Sequence, residues 1–324
     1  MRASTAPDWR ASASLATLQR RAQLLAATRQ FFAARAVLEV DTPMVINAPV
    51  SDVHLHSARV TFANDTDAFY LHTSPEYAMK RLLADGTGDI YQICHVVRAR
   101  ERGRLHNPEF TLVEWYRLGW DLNALIEEVD ALVRVLLGPR APARPLQRIS
   151  YQQAFLEHVA LDPFTATHAE LTAAARAAGF AGAAAERDEL LELLMSLRVG
   201  PKLGRTALTF VHGYPASQAA LARLDPADPR TALRFELYCE GVELANGFHE
   251  LGDAAEQRAR FERDLTARRR LGLGATALDE RLLAALAAGL PECCGVALGF
   301  DRTVMLAIGA DSIDAALAFP LERA

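Results

Sequence analysis

Apolar residues at Leu15, Leu18, Ala22, Leu25, Ala26 and Phe32 recur at the spacing of a helix face across residues 14–34. Residues 37–43 then turn extended and stop at Pro43, which cannot donate to a ladder. The pattern predicts a long helix feeding a strand. Short β-rich runs follow at 69–72, 90–97 and 110–117, close enough for hairpin-type connections and hence for an antiparallel sheet. From about 123 to 195 the pattern becomes alanine- and leucine-rich and helical, interrupted by Pro139, Pro142 and Pro145. This stretch is expected to be a helical insertion in a single domain spanning residues 1–324. β-character returns at 208–211 and 233–239, helices are predicted over 254–271 and 279–288, and a glycine-broken apolar run at 295–300 leads into a last helix at 302–308. Helix, strands, helical insert, strands and helix make an α+β fold, an antiparallel sheet flanked by helices, and not a chain of βαβ units.

Composition narrows the function. With 51% hydrophobic and 23% charged residues over 324 positions, the chain has ample material for a core. A net charge of −5 supplies no basic field for a phosphate backbone, so nucleic acid is not the default partner. Lysine occurs only at Lys80 and Lys202, leaving 33 arginines among the 35 cationic residues. Cys94, Cys239, Cys293 and Cys294 show no CxxC spacing. The longest apolar stretches, such as 282–290, fall short of the ~20 residues of a membrane span, and the N-terminus lacks an apolar signal core. The expectation is a cytoplasmic protein without a membrane partner. Neither GxGxxG nor GxxxxGK[ST] occurs, so a bound nucleotide must be held by other means.

Three constellations carry candidate chemistry. In the first, Arg98, Arg100, Arg102 and Arg104 crowd a predicted loop between strands, ending at His106-Asn107-Pro108-Glu109-Phe110. Guanidinium groups match phosphate oxygens, although a solvated charged turn reads the same way. Beyond it, strand alternation puts Glu114 and Tyr116 on one face with Phe110 and Leu112. That carboxylate and phenol could hold an ammonium group, or simply face solvent. In the second, Glu243 and Glu250 lie seven apart around Asn246, a set of hard oxygen donors suited to Mg²⁺ arriving with phosphates. His249 between them is assigned no role. In the third, Gly295-Val296-Ala297-Leu298-Gly299-Phe300-Asp301-Arg302 offers small residues for close approach and an arginine at a helix start.

Together, in this order, these segments resemble the class II lysyl-tRNA synthetase core from about residue 10 to the end. The helix and strand before Pro43 look like its first motif, the Arg98 loop its second and residues 295–302 its third. Thr73-Ser74-Pro75-Glu76-Tyr77 and the GVALG run are most similar to the elongation factor P β-lysine ligase family, truncated relatives without an anticodon-binding domain. Ala297 replaces a synthetase glycine, as in that family.

The resemblance implies ATP between Phe110 and Arg302, with its α-phosphate on Arg98, Asn107, Leu244 and Gly299 lining the site, and Mg²⁺ at Glu243 and Glu250. Arg98, Arg302 and Glu243 would be catalytic. Ser74, Pro75, Glu76, Glu114, Tyr116, Glu250 and Ala297 would surround β-lysine. The acyl group, activated as an adenylate, would pass to a lysine of elongation factor P, and the first motif implies a homodimer. Alternatives are α-lysine activation for tRNA or a small molecule, and a pseudo-synthetase that only binds. The last is motivated by Arg100, which stands where the family has glutamate beside the adenine. Glu101 could replace that carboxylate only with a backbone shift, since neighbouring strand residues face opposite sides.

Overall fold

A computed structural model describes residues 9–62, 68–182, 186–274 and 276–324. Ser14 opens α1 (Leu15–Ala33), its side-chain oxygen accepting the Thr17 N–H at 3.1 Å. The face that this helix buries is Leu24, Thr28, Phe31 and Phe32, whereas Leu15, Ala22 and Ala26 of the predicted stripe are exposed. Packing sets that choice: the Phe32 ring stacks on Tyr91 at 4.3 Å and meets Trp115 edge-on.

The chain continues through β1 (Leu38–Glu39), β2 (Val45–Ile46), β3 (Arg59–Val60), β4 (Phe69–Leu71), α2 (Glu76–Ala84), β5 (Ile90–Val97) and β6 (Glu109–Leu118). Next come α3 (Leu122–Leu137), β7 (Gln147–Ser150), α4 (Tyr151–His158), α5 (His168–Ala177) and α6 (Arg187–Leu194). The last part holds β8 (Thr209–Pro215), β9 (Thr231–Cys239), β10 (Val242–His249), α7 (Ala254–Arg270), α8 (Glu280–Gly289), β11 (Cys293–Gly299) and α9 (Phe300–Ile308).

Eight strands form one sheet in the order β1-β5-β6-β11-β10-β9-β8-β7. Its interior is antiparallel as predicted, but both edge pairs, β1 with β5 and β7 with β8, run parallel. The run at 69–72 does not join it: β4 sits between β2 and β3 in a separate three-stranded sheet. The stretch 123–195 divides. α3 packs beneath the main sheet with α1 and α9, β7 extends the sheet edge, and α4, α5 and α6 form their own apolar cluster around Tyr151, Phe155 and Leu190. α3 ends where Gly138 takes φ 55°, just before Pro139.

The sheet separates two environments. Val113, Trp115, Phe210, Phe235 and Leu237 point into the core with α1, α3 and α9. The alternate positions face the other side, where α2 packs at one end and α4–α6 at the other, leaving a cleft over the central strands. β9 and β10 meet in a two-residue turn, Glu240 at φ 52° and Gly241 at φ 75°, the positive pair that matches strand twist. One residue later the ladder slips, so that Glu243 faces Tyr238 but Ala245 already faces Leu237. Leu244 is the extra residue of this bulge, and it resets the alternation of everything after it.

Candidate active site

The cleft encloses about 1400 Å³ and is floored by β6, β11, β10 and β9. Side chains directly opposite on antiparallel neighbours share a face, so register builds the floor row by row. One row runs Glu114, Ala297, Asn246, Glu236, and the next runs Tyr116, Gly295, Phe248, Arg234, with Gly247 paired to Val296 between them on the opposite parity. The reset at Leu244 places Glu243 on the same side as Asn246 although their numbers differ in parity.

At the α2 end three carboxylates converge. Glu114 is 2% exposed and accepts from Ser74 Oγ and Tyr116 OH, each at 2.7 Å. Ser74 also takes the Glu76 N–H at 3.0 Å, fixing the start of α2. Lys80, one helical turn on, is 1% exposed, with Nζ 2.7 Å from Glu76 Oε1 and 2.6 Å from Glu250 Oε2. Gly295 keeps the pocket closed-packed: a Cβ there would strike the Tyr116 ring and lie 2.5 Å from Glu250 Oε1. Burial, and then the Glu76 charge, raise Glu114 to about 7 against its two hydrogen bonds. Burial raises Glu250 to about 8, with Lys80 opposing and Glu76 adding to the rise. Burial alone would push the Lys80 ammonium down, but Glu250 and Glu76 outweigh it and hold it above its usual range. The cluster therefore has a fixed ammonium and a surplus of carboxylate, a setting for a cationic ligand.

The arginines lie toward the start of β6, where the chain leaves β5. Arg98 lines the cleft, its guanidinium 5.1 Å over the Phe110 ring. Arg302 lies just behind the lining: Nε donates to Leu105 O at 3.1 Å, one terminal nitrogen donates to Glu243 O at 2.9 Å, and the other meets His106 Nε2 at 2.7 Å. Burial, and then Arg302 itself, lower the His106 pKa, so the ring is neutral and accepts. The Glu243 carboxylate, 41% exposed, is 3.5 Å from Arg302.

The four-arginine reading of the loop reduces to one residue in the cleft. Arg102 pairs with Asp314 and Glu322, Arg104 donates to Asp311 O at 2.7 Å, and Arg100 is exposed outside the cleft lining. The first two hold the C-terminal segment. β5 ends at Val97, and the chain turns with Glu101 N–H donating to Arg98 O, so strand alternation does not govern residue 101. Glu101 thereby lies 3.6 Å from the Arg98 guanidinium with no bulge in a strand. Asn107 is likewise not in the lining: Nδ2 donates to Glu109 O at 2.6 Å and Oδ1 accepts Leu321 N–H at 3.1 Å. The Leu244 side chain belongs to the core behind the sheet, and Gly299 caps α9 beside the Leu244 carbonyl. Lys80 Nζ lies 2.6 Å from Glu250 Oε2, so an ammonium faces that oxygen of the carboxylate expected to hold Mg²⁺. Among the described residues no cluster of three or more His, Cys, Asp or Glu is arranged to hold a metal ion.

Ser74, Pro75, Glu76, Glu114, Tyr116, Glu250, Ala297, Arg98 and Glu243 all line this one cavity. Sequence pattern does not single out Lys80, Arg234 and Glu236, which the structure brings to this cavity or its edge. Arg234 donates to Asn246 Oδ1 at 3.1 Å and Glu236 Oε1 at 2.6 Å, and Glu236 Oε2 also accepts from Tyr238 OH. Their signal was present: 234, 236 and 238 alternate with Phe235 and Leu237, which reads as a solvated face and is here a cleft floor. Lys80, between Met79 and Leu83 in the buried stripe of α2, is a lysine where the pattern calls for an apolar residue.

Comparison with known proteins places these features in a family. Residues 3–323 match the model of class II tRNA synthetases of the D, K and N type. An elongation factor P (R)-β-lysine ligase of Vibrio cholerae is 49% identical, the match covering 99% of this chain and 100% of that protein. The enzyme of the same name from Salmonella typhi is 47% identical with the same coverage, and that of Vibrio parahaemolyticus 49% identical over 97% of this chain and 98% of its own.

Proposed function

Since the chain belongs to the class II tRNA synthetase family of the D, K and N type, we propose that it is an ATP-dependent ligase that activates (R)-β-lysine and transfers it to a lysine side chain of elongation factor P. The observation that carries this is one cavity lined both by a surplus of buried carboxylates and by Arg98. Amines of the substrate are held by Glu76, Glu114, Glu250 and the hydroxyl oxygen of Tyr116. Its carboxylate then points along β11 toward Arg98.

In the reaction, the substrate carboxylate attacks the α-phosphorus of ATP in line, the bond to the bridging oxygen breaks, and pyrophosphate leaves. Arg98 neutralises charge on the α-phosphate, and Arg302, braced by Leu105, His106 and Glu243, backs the adenine side of the nucleotide site opposite Phe110. Nearly all of the rate comes from positioning and charge. Glu243, a half-exposed hard oxygen donor near Glu236, would hold Mg²⁺ arriving with the phosphates. The ion would supply charge neutralisation on the phosphates. A neutral lysine amine of the acceptor then displaces AMP from the acyl carbon to leave an amide.

Ala297 lies between Glu114 and Asn246, so its methyl narrows the floor where an α-ammonium would rest. Exposed Leu38 and Met44 after α1 support a homodimer through the first motif. Among the described residues no helix is long and apolar enough to cross a membrane. ATP–pyrophosphate exchange with (R)-β-lysine, (S)-β-lysine and α-lysine tests activation, and transfer of labelled β-lysine to elongation factor P tests the acceptor. Exchange strongest with (R)-β-lysine is expected. Exchange with no isomer refutes the proposal, and transfer to tRNA instead refutes the acceptor.

A further inference from the structure

We infer that Lys80 is a positioning residue for this reaction, a built-in ammonium that fills the slot between Glu76 and Glu250 and so makes the substrate amines bind short of it. The inference rests on the diamine-binding reading of the cleft and names what tunes it. Lysines are almost never fully buried without a reason, yet this side chain is 1% exposed on a helix face whose neighbours Met79 and Leu83 are purely apolar. Holding its charge there costs desolvation, which a methionine would avoid.

The slot that it occupies is itself a good ammonium site, with carboxylate oxygens 2.7 Å and 2.6 Å from Nζ. A substrate amine is the same chemical group as Nζ. If the slot were open, the terminal amine would enter it and draw the reacting carboxylate away from Arg98. With Lys80 in place, three carboxylates face one internal ammonium, so two negative charges remain when all are ionised. That count matches the two ammonium groups of a diamino acid and leaves a monoamino acid one charge short.

Two experiments decide it. In Lys80→Met the opened slot gives tight but unproductive binding. For β-lysine in pyrophosphate exchange, kcat is expected to fall about tenfold or more while KM stays within about threefold of wild type or drops. A smaller fall in kcat, or a KM raised beyond that, overturns the inference.

The second needs no variant. Because the chain holds two lysines, ¹⁵N-lysine labelling gives two side-chain signals, of which exposed Lys202 serves as the internal reference. Saturating β-lysine is expected to shift the Lys80 signal and leave Lys202 in place, while norleucine, lacking the second amine, shifts neither. A silent Lys80 overturns the inference even where Lys80→Met fails to fold. Exchange measured on the same sample separates the two readings. Exchange with a silent Lys80 refutes the positioning role alone. Absence of exchange with every lysine isomer refutes the proposed ligase, and the response of Lys80 to the diammonium ligand still decides its role.

Discussion

The carboxylate surplus makes substrate affinity depend on pH in a calculable way. Glu114 is raised to about 7 and Glu250 to about 8, both above the ordinary carboxyl range, so near neutrality each spends much of its time protonated. An incoming ammonium needs the ionised form and so displaces a proton. The sign follows: affinity is present above these values and is lost as pH falls through them. A carboxyl near 7 is protonated about ten to one at pH 6, which weakens binding roughly elevenfold, or about 1.4 kcal/mol, relative to the fully ionised site. Release from Glu250 as well would steepen the slope toward two protons per substrate. The assay is KM for β-lysine in pyrophosphate exchange between pH 6 and 8.5, with proton release measured calorimetrically in buffers of different ionisation enthalpy. Glu114→Gln is expected to raise KM at pH 8 and to remove one proton from the slope. A wild-type KM equal at pH 6 and pH 8 would refute the reasoning.

Other outcomes follow from single contacts. Gly295→Ala forces a methyl between the buried Tyr116 ring and Glu250, and is expected to cost about 1–3 kcal/mol in denaturant unfolding and most of the exchange activity. Unchanged stability would count against the packing described. Asn107→Ala leaves Leu321 N–H and Glu109 O without their partner, so a loss of about 1–3 kcal/mol with KM for ATP unchanged is expected by chemical denaturation and initial-rate kinetics. A raised KM for ATP at full stability would return Asn107 to the nucleotide site. Arg98→Ala should lower kcat for exchange by about 10²–10³, while Arg102→Ala, which only loosens the C-terminal segment, should leave exchange within a few-fold. Ala297→Gly should raise exchange with α-lysine relative to β-lysine by about 10-fold or more, read as a ratio of kcat/KM.

Much of this molecule is determined by local pattern. The 3.6-residue and two-residue periods locate the long helices and central strands, because burying one face leaves its period in the sequence. Strand alternation alone puts Glu114 and Tyr116 on one face, and in the structure both line the cleft, buried. The order of the three motifs is enough to identify the fold family. Other features depend on long-range pairing that leaves no local mark. The slip at Leu244 decides that Glu243 and Asn246 share a face, which counting by twos denies. Equal-looking arginines in one loop are divided by the C-terminal segment, some two hundred residues on, which claims Arg102 and Arg104 and leaves Arg98 for the cleft. The parallel edges of the sheet follow from crossover connections, β1 to β5 by way of α2 and β7 to β8 by way of α4–α6, not from β-propensity. Lys80 is the sharpest case. In sequence it is one charge in an apolar stripe, and only the meeting of α2 with the end of β10 places Glu250 within 2.6 Å of it, turning an anomalous residue into the counter-ion of a binding pocket.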